Sequence, residues 1–253
     1  MRLHLHEWGD PAAPPLVCLH GVSAHGRRFR KLAEERLADR YRVVAPDLRG
    51  HGHSGWEPPW DIKTHIADVI ETVTAAGIGS AAWIGHSFGG RLVLELVATR
   101  PELAERVVLL DPAIQVLPHI GLDLAEDARR EEAYESLEAG IDAGLTVRTT
   151  TPREFVEEDV REHLELAADG LFRPRYCRSA VVTMYSELCT APPPPDRLGV
   201  AALLVYAPDF GLVREEQLDE YRPVGVEILP VPGGHVVYWD AYAETADAVS
   251  RFL

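Results

Sequence analysis

Two short glycine-bounded strings carry the residues best suited to covalent chemistry. One is Gly85-His86-Ser87-Phe88-Gly89, with Gly90 following. The other is Val231-Pro232-Gly233-Gly234-His235. A serine hydroxyl is a weak nucleophile at neutral pH and needs a neighbouring base to take its proton. Imidazole is the side chain whose ordinary pKa suits that task. Ser87 as nucleophile and His235 as base would together attack a carbonyl carbon. Ser87 could instead simply cap the helix that follows, but a cap does not call for glycines on both sides. The other histidines are weaker as bases. His86 belongs to the turn itself and is expected to point away, and His4, His6, His65, His119 and His163 fall outside the two strings.

Such a pair works only if rigid elements hold it. Ala81–Gly85 reads as a buried strand and Phe88–Thr99 as a Leu- and Val-rich helix ended near Pro101. Strand, sharp turn and helix are the setting a nucleophile elbow requires. Further apolar runs at Leu16–Leu19, Tyr41–Ala45, Val107–Leu110, Val200–Tyr206 and Val226–Leu229 read as strands. They are apolar throughout rather than alternating, as parallel strands covered on both faces should be. Helical spacing marks Arg27–Ala38, Ile62–Ala76 and Ala241–Phe252. Alternating strands and helices predict an α/β fold with a mostly parallel central sheet flanked by helices.

The alternation breaks between Ile114 and Leu198. This stretch is acidic, with helix-prone segments at Glu126–Leu137, Pro152–Ala168 and Arg178–Leu188, no clear strand, and a closing proline run at Pro192–Pro195. It predicts a helical lid at residues 114–198 inserted between two core strands, with residues 1–113 and 199–253 forming the core domain. Long insertions in compact domains tend to be functional. Its Phe155, Leu164, Leu166, Phe172, Tyr176 and Tyr185 are expected mainly to build the insertion's own core, with an apolar substrate pocket as the other use.

With these strings in place, the chain resembles the α/β-hydrolase superfamily along nearly its whole length. Leu19-His20-Gly21-Val22, Asp47-Leu48-Arg49-Gly50-His51-Gly52-His53-Ser54, Gly85–Gly90 and Gly233-Gly234-His235 carry the likeness. Their order is similar to that in lid-bearing esterases, lipases and C–C hydrolases. The resemblance implies an oxyanion hole formed by the backbone N–H groups of Val22 and Phe88, whose side chains would line an acyl pocket. It also implies that Asp47–Ser54 is a structural loop behind the nucleophile rather than a metal site. It implies a third residue, an acid that fixes the histidine tautomer. In most relatives that acid follows the strand after the lid, which favours Asp209 in Leu204-Val205-Tyr206-Ala207-Pro208-Asp209-Phe210-Gly211. Register against the family places Phe210 at the position itself, so Asp209 requires a one-residue loop shift. Asp111, at the end of the strand before the lid, is the rival.

The resulting expectation is a serine-dependent hydrolase of small or medium carboxylic esters or lactones, acting through an acyl-enzyme. C–C bond hydrolysis, cofactor-free perhydrolysis and a non-catalytic ligand receptor on the same scaffold are the alternatives. A serine at the elbow argues against epoxide hydrolysis and dehalogenation, whose relatives use aspartate there. No dinucleotide or P-loop motif is present, so no cofactor and no metal are expected. The formal net charge of −15 disfavours nucleic acid as a partner. No apolar stretch is long enough to span a membrane and no signal peptide is evident. Cys18, Cys177 and Cys189 match neither a metal knuckle nor a redox pair, which fits a reducing, cytoplasmic setting. A small-molecule ester is the expected partner, and the sequence does not specify an oligomeric state.

Overall fold

The structure is a computed structural model that describes residues 1–253. Its strands are β1 (Leu5–Trp8), β2 (Pro15–Leu19), β3 (Arg42–Pro46), β4 (Ala81–His86), β5 (Ala104–Leu110), β6 (Leu164–Leu166), β7 (Phe172–Pro174), β8 (Ala201–Tyr206) and β9 (Glu227–Pro230). Its α-helices are α1 (Arg30–Leu32), α2 (Ile62–Ala75), α3 (Phe88–Thr99), α4 (Pro118–Ala128), α5 (Leu137–Val147), α6 (Arg153–His163), α7 (Arg178–Leu188), α8 (Glu215–Tyr221), α9 (Val237–Asp240) and α10 (Tyr242–Phe252). Seven strands form one sheet in the order β1-β3-β2-β4-β5-β8-β9, parallel except for the β1–β3 edge pair. The predicted parallel α/β architecture is present. No helix is long and apolar enough to cross a membrane.

Both faces of the sheet are covered. Val17, Trp83, Val107 and Leu204 pack against α2 and α3, through Val69, Val73, Leu92 and Leu96. Leu16, Ile84, Val108 and Leu203 pack on the other face against Phe29, Leu32, Trp239 and Val249. This double burial is why the central strands are apolar at successive positions. β4 is buried at all six residues, so the turn that follows it starts from a fixed point.

The structure departs from the sequence reading in three places. Strand β1 was not expected. Its Leu-His-Glu-Trp pattern belongs to an edge strand, where one ladder and one face meet solvent. The span Arg27–Ala38 is a 3-10 turn, the short α1 and a wider π-turn rather than one regular helix. Between β5 and β8 the helices run Pro118–Ala128 and Leu137–Val147, so the middle of the expected Glu126–Leu137 helix is not helical. That region also holds a small antiparallel hairpin, β6–β7. Gly170, at φ 86°, makes its turn, a backbone conformation that costs other residues more.

Candidate active site

Ser87 follows β4 and precedes α3 with φ 53° and ψ −118°, a strained conformation for a residue with a side chain. The chain tolerates it because its surroundings leave no alternative. Ser87 N–H donates to Leu110 O at 3.1 Å, and its carbonyl accepts from Arg91 N–H and Ala113 N–H. Gly89 lets the helix meet the sheet. A Cβ placed there would stand 2.0 Å from Leu19 O. Ser23 and Asp111 are the other two non-glycine residues with positive φ, at 54° and 40°. Ser23 lines the same cavity as Ser87, so backbone strain is gathered around one place in the molecule.

His235, in the loop after β9, donates from Nδ1 to Asp111 Oδ2 at 2.6 Å. Asp111 is fully buried just past β5, and its other carboxylate oxygen accepts from Ala207 N–H at 3.2 Å. This bond fixes the imidazole tautomer and leaves the Nε2 lone pair free. Ser87 and His235 line one cavity of about 570 Å³. No hydrogen bond joins the serine hydroxyl to the imidazole here. Such bonds are commonly loose in a resting site and tighten once substrate is bound.

The preference for Asp209 is corrected by this geometry. Asp209 lies on the exposed loop after β8, on the cavity wall, while the carboxylate that holds His235 is that of Asp111. The neighbouring Phe210 instead covers a face of the imidazole. Its ring stacks on His235 with centroids 4.7 Å apart and planes 12° apart. The misaligned register noted in the sequence therefore has a physical counterpart, an aromatic ring where many relatives place an acid.

The loop after β2 lies directly on the nucleophile. A Cβ on Gly21 would come within 2.8 Å of Ser87 Cβ and 3.3 Å of its Oγ. Leu48 N–H donates to His20 Nε2 at 2.9 Å, so His20 Nδ1 carries the proton and donates to Gly21 O at 2.8 Å. The Asp47–Ser54 loop thus holds the peptide that presents Val22 N–H. That N–H has no protein acceptor. Phe88 N–H, in the first turn of α3, has no intrahelical acceptor. The Val22 side chain lines the cavity, as expected. The Phe88 side chain does not. It is fully buried in the main core, edge-on to His65.

His86 is closer to the site than its place in the turn suggested. It lines the cavity, donates from Nε2 to His235 O at 3.0 Å, and its ring centroid is 4.6 Å from that of His235. Burial, then the adjacent imidazole, hold its pKa well below the usual histidine value. His86 is therefore a neutral donor that positions the His235 loop. The sequence carries no signal for this contact across 149 residues.

The segment between β5 and β8 supplies Val147–Thr151 and Tyr185 to the cavity wall. Of its six apolar residues singled out above, only Tyr185 reaches that wall. Leu164 and Phe172 belong to the segment's own small cluster, Phe155 stacks on Trp239, and Leu166 is exposed. One buried ionic cluster ties this segment to the core. Asp159 of α6 accepts from Arg28 Nε and Nη2 at 2.6 and 2.7 Å, from Arg148 Nη1 at 2.7 Å and from His25 Nε2 at 3.0 Å. Burial alone would raise the pKa of Asp159. Arg28 and Arg148 overcome that and hold it well below the usual carboxylate range.

Comparison with known proteins gives a consistent picture. A family model described as alpha/beta hydrolase fold matches residues 14–138. The lipase LipV of Mycobacterium tuberculosis is 29% identical over 247 residues, covering 93% of this chain and 91% of that one. The sn-1-specific diacylglycerol lipase ABHD11 of Mus musculus is 24% identical over 260 residues, covering 97% and 82%. Among solved structures, an E-2-(acetamidomethylene)succinate hydrolase superposes with a TM-score of 0.90 at 22% identity, covering 99% of this chain and 94% of that one, a likeness of fold. The chain belongs to the α/β-hydrolase superfamily.

Proposed function

We propose that this α/β hydrolase cleaves carboxylic esters of small to medium acyl length, or lactones, through an acyl-enzyme formed on Ser87. The observation that carries the reading is the Asp111–His235 hydrogen bond on the wall of the cavity that also exposes the strained Ser87. His235 Nε2 takes the Ser87 proton as Oγ bonds to the ester carbonyl carbon. The carbonyl oxygen becomes an oxyanion and rests on Val22 N–H and Phe88 N–H. Two such donors, already aimed, are worth a few kcal/mol of barrier. Collapse of this intermediate breaks the bond to the alkoxy oxygen, which leaves with the proton from His235. Water then attacks the acyl-serine, gives its proton to His235 and releases the acid, and Ser87 recovers its hydrogen. Asp111 keeps Nδ1 protonated and stabilises the imidazolium formed in each half.

Residues 114–198 act in this reading as the lid over the core formed by 1–113 and 199–253. The support is that Val147–Thr151 and Tyr185, all from the insertion, face Ser87 across the cavity. The three unpaired thiols fit a reducing, cytoplasmic setting. The test is turnover of a series of para-nitrophenyl esters of increasing acyl length by the wild-type protein. A maximum at short to medium acyl length is expected. Absence of turnover across the series, with no reaction of Ser87 toward a fluorophosphonate, would overturn the reading.

A further inference from the structure

We infer that the substrate carries an anionic group, a carboxylate on its acyl or alcohol portion, received by Arg28 and Arg148. This inference rests on the hydrolase reading above and names the substrate class of that same cavity. Both arginines line the cavity beside Ser87 and His235. They come from different parts of the chain, Arg28 from the 3-10 turn after β2 and Arg148 from the C-terminal end of α5.

Their charge is not used up within the protein. Two guanidinium groups share the single carboxylate of Asp159, and two positive charges less one negative leaves one positive charge. His25 adds another donor to that carboxylate and no acceptor. Arg28 is 8% exposed, yet its Nη1 has no protein acceptor; Nε and Nη2 alone are engaged. Arg148 uses only Nη1. A bidentate Arg28–Asp159 pair would already tie the insertion to the core, so a structural role does not call for the second arginine. A buried guanidinium with spare donors on a cavity wall is suited to a planar carboxylate.

The donors are also held in place. Arg28 lies 5.3 Å and Arg148 6.0 Å from the Trp239 ring centroid, so little side-chain freedom remains to be lost on binding. Two carboxylates share the wall. Asp240 accepts from Val236 N–H at 3.0 Å and from the Thr151 hydroxyl, and Asp209 sits on the exposed loop after β8. Neither is bonded to a guanidinium, so neither competes for the free donors. They weaken general attraction for anions and leave directed hydrogen bonds as the basis of recognition.

The experiment compares mono-para-nitrophenyl adipate with its methyl-capped counterpart, para-nitrophenyl methyl adipate, which has the same acyl chain without the charge. Wild-type kcat/KM should favour the anion by about tenfold, the scale of one charge-assisted hydrogen bond, mainly through KM. Arg148→Met should bring the ratio of the two esters toward one, and Arg148→Lys should restore part of it. A wild-type ratio at or below one, or a ratio that Arg148→Met leaves unmoved, overturns the inference while leaving the hydrolase reading intact. A second measurement does not depend on turnover. Monomethyl adipate should raise the melting temperature of Ser87→Ala, dimethyl adipate should not, and the added Arg148→Met change should abolish the effect. Equal stabilisation by both compounds, or by neither, overturns the inference. Failure of the hydrolase reading would register separately, as an unreactive Ser87 in the wild-type chain.

Discussion

The rim of the sheet and the helical segment between β5 and β8 are held by different physics. The rim rests on strands buried in layers of 33 and 25 residues, whereas the segment's own apolar cluster has four: Ile141, Val156, Val160 and Leu164. What the segment lacks in a core of its own it recovers by lending Val116, Met184 and Leu188 to one main layer and Phe155 to the other, and through polar ties to the main body. Asp159 holds Arg28, Cys177 N–H donates to Gly50 O, and Arg91 reaches the carbonyls of Thr190 and Ala191. A deep apolar core can sustain three strained residues and fix reacting atoms. A layer with little core of its own, fastened in part by ion pairs, is suited to shaping the space above them. In the proposed reading, this contrast gives reaction type and substrate choice to separable parts of one chain.

Substitutions at the two regions should therefore fail differently. At the rim, Ser87→Ala should reduce ester turnover by at least about 10⁴-fold while the melting temperature changes little. A large loss of stability alongside would break the comparison, because the elbow would then be a structural element first. At the segment, Asp159→Asn should do the opposite. It leaves two guanidinium groups without their carboxylate and should cost about 3 kcal/mol in denaturant unfolding, as breaking a buried ion pair does. An unfolding free energy within error of the wild type would show that the segment is fastened elsewhere.

Acid should loosen the core through its histidines. Burial lowers the His65 pKa from 6.5 to about 3, and neither ring nitrogen has a hydrogen-bond partner. Burial likewise lowers that of His51 to about 4. The unfolded chain takes up these protons at a higher pH than the folded one. The neutral rings favour folding at pH above 6.5, and that stability is lost as pH falls from there toward the folded values. His65→Leu removes one such group. At pH 5 it should flatten the acid-induced loss relative to wild type by about 2 kcal/mol. Parallel stability–pH curves for the two proteins would contradict this. The smallest expected effect is at Phe210, which is half exposed and stacked on His235. Phe210→Ala should lower kcat by roughly two- to fivefold, in keeping with the modest worth of one exposed aromatic contact. A larger loss would place that ring among the groups that orient the base.

Much of the fold was legible because its causes are local. Continuous apolar runs mark doubly covered strands, and the glycines around Ser87 mark a turn where a Cβ has no room. β1 was missed because an edge strand with one wet face carries half the pattern. The choice between Asp111 and Asp209 was not local. β5 and β8 are adjacent and parallel, so both acids emerge at the same end of the sheet. What separates them is the bond to His235, made by Asp111 with its φ of 40°, while Phe210 lays its ring on the same imidazole. The backbone angle has no sequence signature, and the ring showed only as the register that put Phe210 at the acid position. The contact of His86 with the His235 loop is hidden for the same reason, since it depends on where a distant strand ends.

In the proposed mechanism His235 activates Ser87, and Asp111 holds that histidine. The most direct measurement is the rate at which a fluorophosphonate labels Ser87, read by peptide mass spectrometry, in Asp111→Asn and in Asp209→Asn. Asp111→Asn should slow labelling by about 10²-fold or more, because the amide disturbs the tautomer, and Asp209→Asn should change it only mildly. Equal mild losses in both, or the larger loss at Asp209, would contradict this mechanism.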